Sequence, residues 1–112
     1  YDFYKYIFPL LKKYNLKALL AVVPSVILQN CDEDDNTRLN IEHNELFNNY
    51  KKGTFCTWEE LDIMSKSNII QIVSHSYSHK NLIEDDVDLQ LELNTSKEMI
   101  EKQLNTEVES FV

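Results

Sequence analysis

Two short apolar runs limit what this chain can fold into. Ala18-Leu19-Leu20-Ala21-Val22-Val23 and Ile69-Ile70-Gln71-Ile72-Val73 are of strand length, and neither alternates cleanly between apolar and polar. Alternation marks a strand with one wet face. A near-continuous run marks a strand covered on both faces, as in a parallel sheet. Parallel strands need a crossover between them, normally a helix. Both runs are preceded by helical patterns, so the expected order is helix, strand, helix, strand, helix, strand.

The first helical pattern covers residues 3–14, with Phe3, Ile7, Leu10, Leu11 and Tyr14 on one apolar face. Pro9 either starts the regular helix or kinks it. Asn15 suits the left-handed cap. Residues 29–37 are polar and acidic and read as a loop. A short helix is expected over about 41–50. Thr57-Trp58-Glu59-Glu60 has the form of a capping box, opening a helix with Leu61 and Met64 inward. A long amphipathic helix is expected from about Asp86 to Leu104. Leu89, Leu93, Ile100 and Leu104 share its inner face with the small Ser96, and Glu84, Asp85 and Asp86 lie at its positive end. A third strand begins near Val108. The fold class is therefore α/β, an α/β layer or part of a (β/α) barrel with parallel strands and helical crossovers. A whole barrel takes roughly 250 residues, so 112 would supply only part of one.

Composition removes several functions. With 19 Asp+Glu against 11 Lys+Arg the net charge is −8, which argues against nucleic acid and anionic lipid as partners. The single glycine, Gly53, cannot write a P-loop or a dinucleotide fingerprint. No apolar run reaches membrane-spanning length, so no transmembrane segment is expected. The chain opens at Tyr1 with neither an initiator Met nor a signal-peptide pattern, and reads as an excised or processed segment. Cys31 and Cys56 read as two free thiols or as one bridge closing the loop between them.

The chemical signal is His75 and His79. They are four apart in the polar stretch Ser74-His75-Ser76-Tyr77-Ser78-His79, just past the second apolar run. That spacing suits zinc ligation, and ligands in parallel α/β proteins gather at the C-terminal ends of strands. The alternative is two half-exposed histidines on a loop. A thermolysin-type helix would need Glu after the first His, where this chain has Ser76. His43 reads as a surface histidine. Asp32, Glu33, Asp34 and Asp35 read as a solvated loop, because a calcium loop wants alternating ligands and a turn glycine. Trp58 reads as a packing residue rather than a sugar platform.

Taken with Asn81 and Leu82, the residues 74–79 resemble the second motif of the polysaccharide deacetylases, the NodB-homology or chitin-deacetylase group of carbohydrate esterases. Residues 9–18, from Pro9 through Lys12, Lys13 and Tyr14 to Ala18, are similar to that family's helix-to-strand passage. Thr57-Trp58-Glu59-Glu60-Leu61 and Ser96-Lys97 match as well. The resemblance covers residues 1–112, with an insertion at about 29–53. It implies an irregular β/α barrel that hydrolyses acetyl groups from N-acetylated, or less often O-acetylated, polysaccharide. It also implies a divalent metal, usually zinc, held by His75 and His79 with an aspartate. Ser76 would support the loop. A second aspartate would act as base and a later histidine as acid.

The resemblance places that aspartate pair before Tyr1 and the acidic His after Val112. Asp2 stands too close to Pro9 to belong to the pair. No catalytic residue is therefore assigned within the chain, which reads as a partial catalytic domain, inactive alone. An extracytoplasmic or cell-envelope location follows from the family, and open sheet edges would favour self-association. Two other readings stay open: a non-catalytic homologue binding glycan or protein, and an unrelated doubly wound α/β binding domain.

Overall fold

A computed structural model describes residues 1–40 and 51–112. The helix expected over 41–50, and His43 with it, lie outside the described residues. Strand β1 (Ala18–Val22) pairs in parallel with β2 (Ile70–Ser74), with Ala18 opposite Ile70 and Val22 opposite Ser74. The third strand begins only as a bridge: Ser74 pairs with Phe111 in parallel sense. The Ser74 N–H donates to the Ser110 carbonyl at 3.2 Å, and the Val112 N–H donates to the Ser74 carbonyl at 3.0 Å.

Side chains alternate across a strand, so Ala18, Leu20 and Val22 share a face with Ile70 and Ile72. These residues join Leu61 and Met64 of α3 (Trp58–Lys66) and Ile100 and Leu104 of α4 (Ser96–Leu104) in one core, with Trp58 packed among them. Strand β2 is covered on both faces except at Gln71. Strand β1 is not. Only Val22 is buried, and Leu19 is 56% exposed. Leu19 stands opposite Gln71 in the register, on the face turned away from α3 and α4, and there both remain open.

The first helix forms where expected but turns a different face inward. Residues Phe3–Ile7 wind as a π-helix and α1 (Phe8–Tyr14) follows. Pro9 explains the change. Its ring would clash with a carbonyl four residues back, at Lys5, in a regular α-turn. The wider π-turn, in which Phe8 N–H reaches the Phe3 carbonyl, relieves this. Phe8 is buried as a result, with Tyr4 and Leu11 beside it, while Ile7, Leu10 and Tyr14 face outward.

A similar shift affects the last helix. The chain turns through the residues before it and starts helical winding at Leu89, not Asp86. Asp88 accepts the Leu91 N–H at 3.1 Å and so takes the capping place. Residues Gln90–Thr95 are π-helical and lead into α4. With more residues per turn, this stretch carries the buried stripe back from Leu104, Ile100 and Ser96 to Glu92. Leu89 and Leu93, expected inside, are half-exposed.

The caps follow the sequence closely. Thr57 and Glu60 form both halves of the capping box on α3, at 3.2 and 2.8 Å. Asn15, Asn68 and Asn105 all have positive φ, between 48° and 61°. Asn is the side chain that best tolerates this region. Within the acidic loop a short helix, α2 (Asp35–Leu39), forms because Asp34 caps it by accepting from Thr37 N–H at 3.0 Å. Cys31 and Cys56 are both free thiols.

Candidate functional site

The polar stretch after β2 is a tight turn. His75 still belongs to the sheet, its N–H donating to the Val22 carbonyl at 2.9 Å. The chain then reverses through two residues at positive φ, Ser76 at 61° and His79 at 60°. Neither is Gly or Asn, so each conformation costs of order 1–3 kcal/mol and must be held by its surroundings. The reversal brings the two imidazoles side by side, with ring centroids 4.8 Å apart and planes tilted by 46°.

Three contacts hold this geometry. The Ser76 hydroxyl, itself buried, accepts the His79 N–H at 2.9 Å. The His75 Nδ1 is hydrogen-bonded to the Val112 main-chain oxygen. A main-chain oxygen can only accept, so Nδ1 carries a proton, and it is Nε2 whose lone pair this tautomer offers to a metal. Glu92 supplies the third contact. It is 1% exposed and accepts both the Ser78 N–H at 2.8 Å and the Ser78 hydroxyl at 2.5 Å. Burial pushes the Glu92 carboxyl up. The Ser78 hydroxyl and N–H pull it down, with the Ser76 hydroxyl and Tyr77 N–H, and the net pKa falls below the ordinary glutamate value. Glu92 is therefore ionised at neutral pH. Behind the turn, Ser74 Oγ and Ser96 Oγ lie 2.7 Å apart and tie the end of β2 to α4.

Two hollows flank the pair. A mostly apolar cavity of about 280 Å³ is lined by Leu20, Val22, Phe55 and Cys56 together with both histidines. A second, of about 270 Å³, is lined by the histidines with Asn81, Leu82 and Phe111. Asp2 also borders the first cavity, but its carboxylate caps the first helical turn by accepting the Phe3 N–H at 2.7 Å. Among the described residues no group of three or more His, Cys, Asp or Glu side chains comes together to hold a metal. The donor chemistry of the pair itself suits zinc, which binds neutral imidazole nitrogen.

Of the acidic and aromatic residues singled out in the sequence that lie among the described residues, none joins the pair. Asp34 caps α2, and Asp35 accepts from Lys5 Nζ at 2.5 Å and from the Tyr1 hydroxyl at 2.6 Å. Trp58 is core. Glu92 is the residue that sequence reasoning overlooks. Its signal is positional: it stands four residues before Ser96 on the stripe that continues through Ile100 and Leu104.

The family model for polysaccharide deacetylase matches residues 1–112. The chain belongs to the polysaccharide deacetylase family. Its fold is that of solved deacetylases over 98% of its length. The Streptococcus pyogenes deacetylase PplD, solved in complex with acetate, superposes with a TM-score of 0.67 at 24% identity, and the BpsB deacetylase domain from Bordetella bronchiseptica with 0.68 at 22%. The chain spans 39% of the first and 50% of the second. No curated protein sequence matches it. Membership in the deacetylase family sets aside an unrelated doubly wound domain. Among the described residues no helix is long and apolar enough to cross a membrane.

Proposed function

We propose that His75 and His79 form the histidine arm of a divalent-metal site, with zinc as the metal, in a hydrolase that removes acetyl groups from N-acetylated or O-acetylated polysaccharide. One observation carries this reading: two imidazoles stand 4.8 Å apart at the C-terminal end of a parallel strand, in a turn that two strained residues and a buried carboxylate keep closed. Family membership supplies the reaction class.

The residues present fit two places of a three-ligand set. A catalytic zinc site keeps three protein ligands and an open position. Here the third ligand, the general base and the leaving-group acid are not among the described residues, and we read the chain as part of a larger catalytic unit. When bound, the metal supplies Lewis acidity toward the acetyl group. The chain's own residues orient its ligands. The carbonyl of Val112 fixes the His75 tautomer, Ser76 pins the main chain at His79, and the flanking hollows leave room for the substrate's apolar and polar parts.

The test compares three proteins: the 112-residue chain, a longer form that includes the aspartate pair typical of the family, and that form with His75→Ala and His79→Ala. Zinc affinity is measured by competition with a chelator, and activity by acetate release from an acetylated chito-oligosaccharide. The 112-residue chain is expected to bind zinc weakly and to show no turnover. The longer form should bind tightly and the double variant should not. Equal zinc affinity with and without the histidines overturns the reading.

A further inference from the structure

We propose that Glu92 is a positioning residue for the histidine pair, acting from the π-helical approach to α4 by clamping the turn 76–78. The proposal rests on the metal-site reading above. It concerns the geometry of the unliganded turn as well, and so can fail separately.

Glu92 is the least expected charge in the molecule. A carboxylate this deeply covered needs partners, because an ionised group left bare in the interior is strongly disfavoured. Its partners all lie on one short segment. Both oxygens are used by Ser78, one by its N–H and one by its hydroxyl, and the Ser76 hydroxyl and Tyr77 N–H point the same way. None of these groups belongs to a strand or helix ladder that would otherwise hold it. The clamp therefore replaces regular hydrogen bonding exactly where the backbone leaves the sheet and adopts positive φ at Ser76 and again at His79.

The placement of Glu92 depends on the π-turns. The buried stripe runs at spacing four from Leu104 through Ile100 and Ser96, and the wide turns extend it to Glu92. Irregular turns of this kind inside helices are common beside functional sites. Ser96 and Glu92 then address consecutive parts of one segment: Ser96 meets Ser74, before the first histidine, and Glu92 meets Ser78, before the second. A single helix thus sets the positions of the chain on both sides of the site.

The experiment uses the full chain and two readouts. The first is metal-free: nuclear Overhauser contacts between the ring protons of His75 and His79. The second is zinc affinity, with the visible absorption of bound cobalt(II) reporting ligand geometry. Glu92→Gln keeps the size of the side chain but removes the charge and leaves one acceptor oxygen in place of two, so the Ser78 N–H and hydroxyl can no longer both donate to it in charge-assisted bonds. It is expected to weaken the ring-to-ring contacts and to lower zinc affinity about 10-fold or more. Glu92→Asp keeps the charge and should recover part of both. Leu104→Ala, at the far end of the same helix, should lower the unfolding midpoint and leave both readouts unchanged. Should Glu92→Gln fail to fold, Ser78→Ala removes one donor of the clamp and is expected to weaken the ring contacts in a folded protein. Unchanged ring contacts in a folded Glu92→Gln, or in Ser78→Ala where that variant must serve, overturn the proposal. Zinc affinity that survives His75→Ala with His79→Ala overturns the metal reading instead, and the ring contacts still decide the role of Glu92.

Discussion

Arg38 and Glu60 form a two-pronged ion pair, with both terminal nitrogens of the guanidinium donating to the carboxylate at 2.7 and 2.9 Å. The pair is largely covered, with side-chain exposures of 5% and 14%. Arg38 also donates to the carbonyls of Gly53 and Phe55 and lies over the Tyr1 ring at 3.5 Å. Glu60 closes the capping box of α3 with its other contact. One guanidinium thus ties α2, the turn after Lys51 and the start of α3 together.

Removing either partner leaves a covered charge alone. Arg38→Met is expected to destabilise the chain by about 3 kcal/mol, and Glu60→Gln by a comparable amount. The double substitution should cost clearly less than the sum, since neither charge is then left unpaired. Urea unfolding midpoints of the four proteins measure this. Strict additivity would contradict a direct pair.

The three asparagine caps give a second expectation. At Asn105 φ is 48°, a region open to Gly and hostile to β-branched side chains. Asn105→Gly should be close to neutral, and Asn105→Val should cost about 1–2 kcal/mol. Thermal unfolding of the two variants distinguishes them. Equal losses would mean that the side chain matters more than the backbone there.

Stability should depend on pH through Glu92. Its folded-state pKa is lowered relative to the unfolded chain. A group of this kind stabilises above its unfolded pKa, about 4.3 for Glu, and loses that contribution as pH falls through the lower folded value. The gap in unfolding free energy between the natural chain and Glu92→Gln is expected to be constant above about pH 5.5 and to shrink steadily below it. Urea titrations at pH 7, 5, 4 and 3 follow the gap, and a gap that widens in acid would reverse the sign argued here.

The thiols provide a fourth check. Cys31 and Cys56 are not bridged, and burial pushes the Cys56 thiol up. Reductant should leave the unfolding midpoint unchanged. Cys56 should react slowly with a thiol reagent at neutral pH and quickly once the chain is unfolded. Fast labelling of both cysteines in the folded protein would contradict the burial.

Much of the fold is legible in the residues. The two apolar runs identify the parallel pair, and Thr57 with Glu60 identifies the start of α3. Asn15, Asn68 and Asn105 mark the left-handed stops. These signals are local: each depends on one residue type meeting one backbone need. Helix faces were less legible. A 3.6-residue period assigns Ile7, Leu10, Leu89 and Leu93 to the interior, but π-turns before Pro9 and before Ser96 rotate those faces outward. The open face of β1 is not legible in the sequence, because a run of apolar residues says what could be covered, not what covers it.

At the site, the spacing of His75 and His79 was visible and their support was not. An acidic residue in a helix reads as solvated, so Glu92 disappears among the other carboxylates of a chain with a net charge of −8. Arg38 is hidden for a related reason. Its partners lie 15 to 22 residues away, and no local pattern announces them.

The strained backbone at Ser76 and His79 has a consequence for kinetics. Contacts within the protein hold that conformation, the His79 N–H with the Ser76 hydroxyl and the Ser78 N–H with Glu92, so the loss of loop freedom accompanies folding. Preorganisation of this kind removes a cost that a floppy loop would impose at binding. Ligand capture at the two rings should then follow a single phase whose rate rises linearly with ligand concentration, with no slower rearrangement behind it.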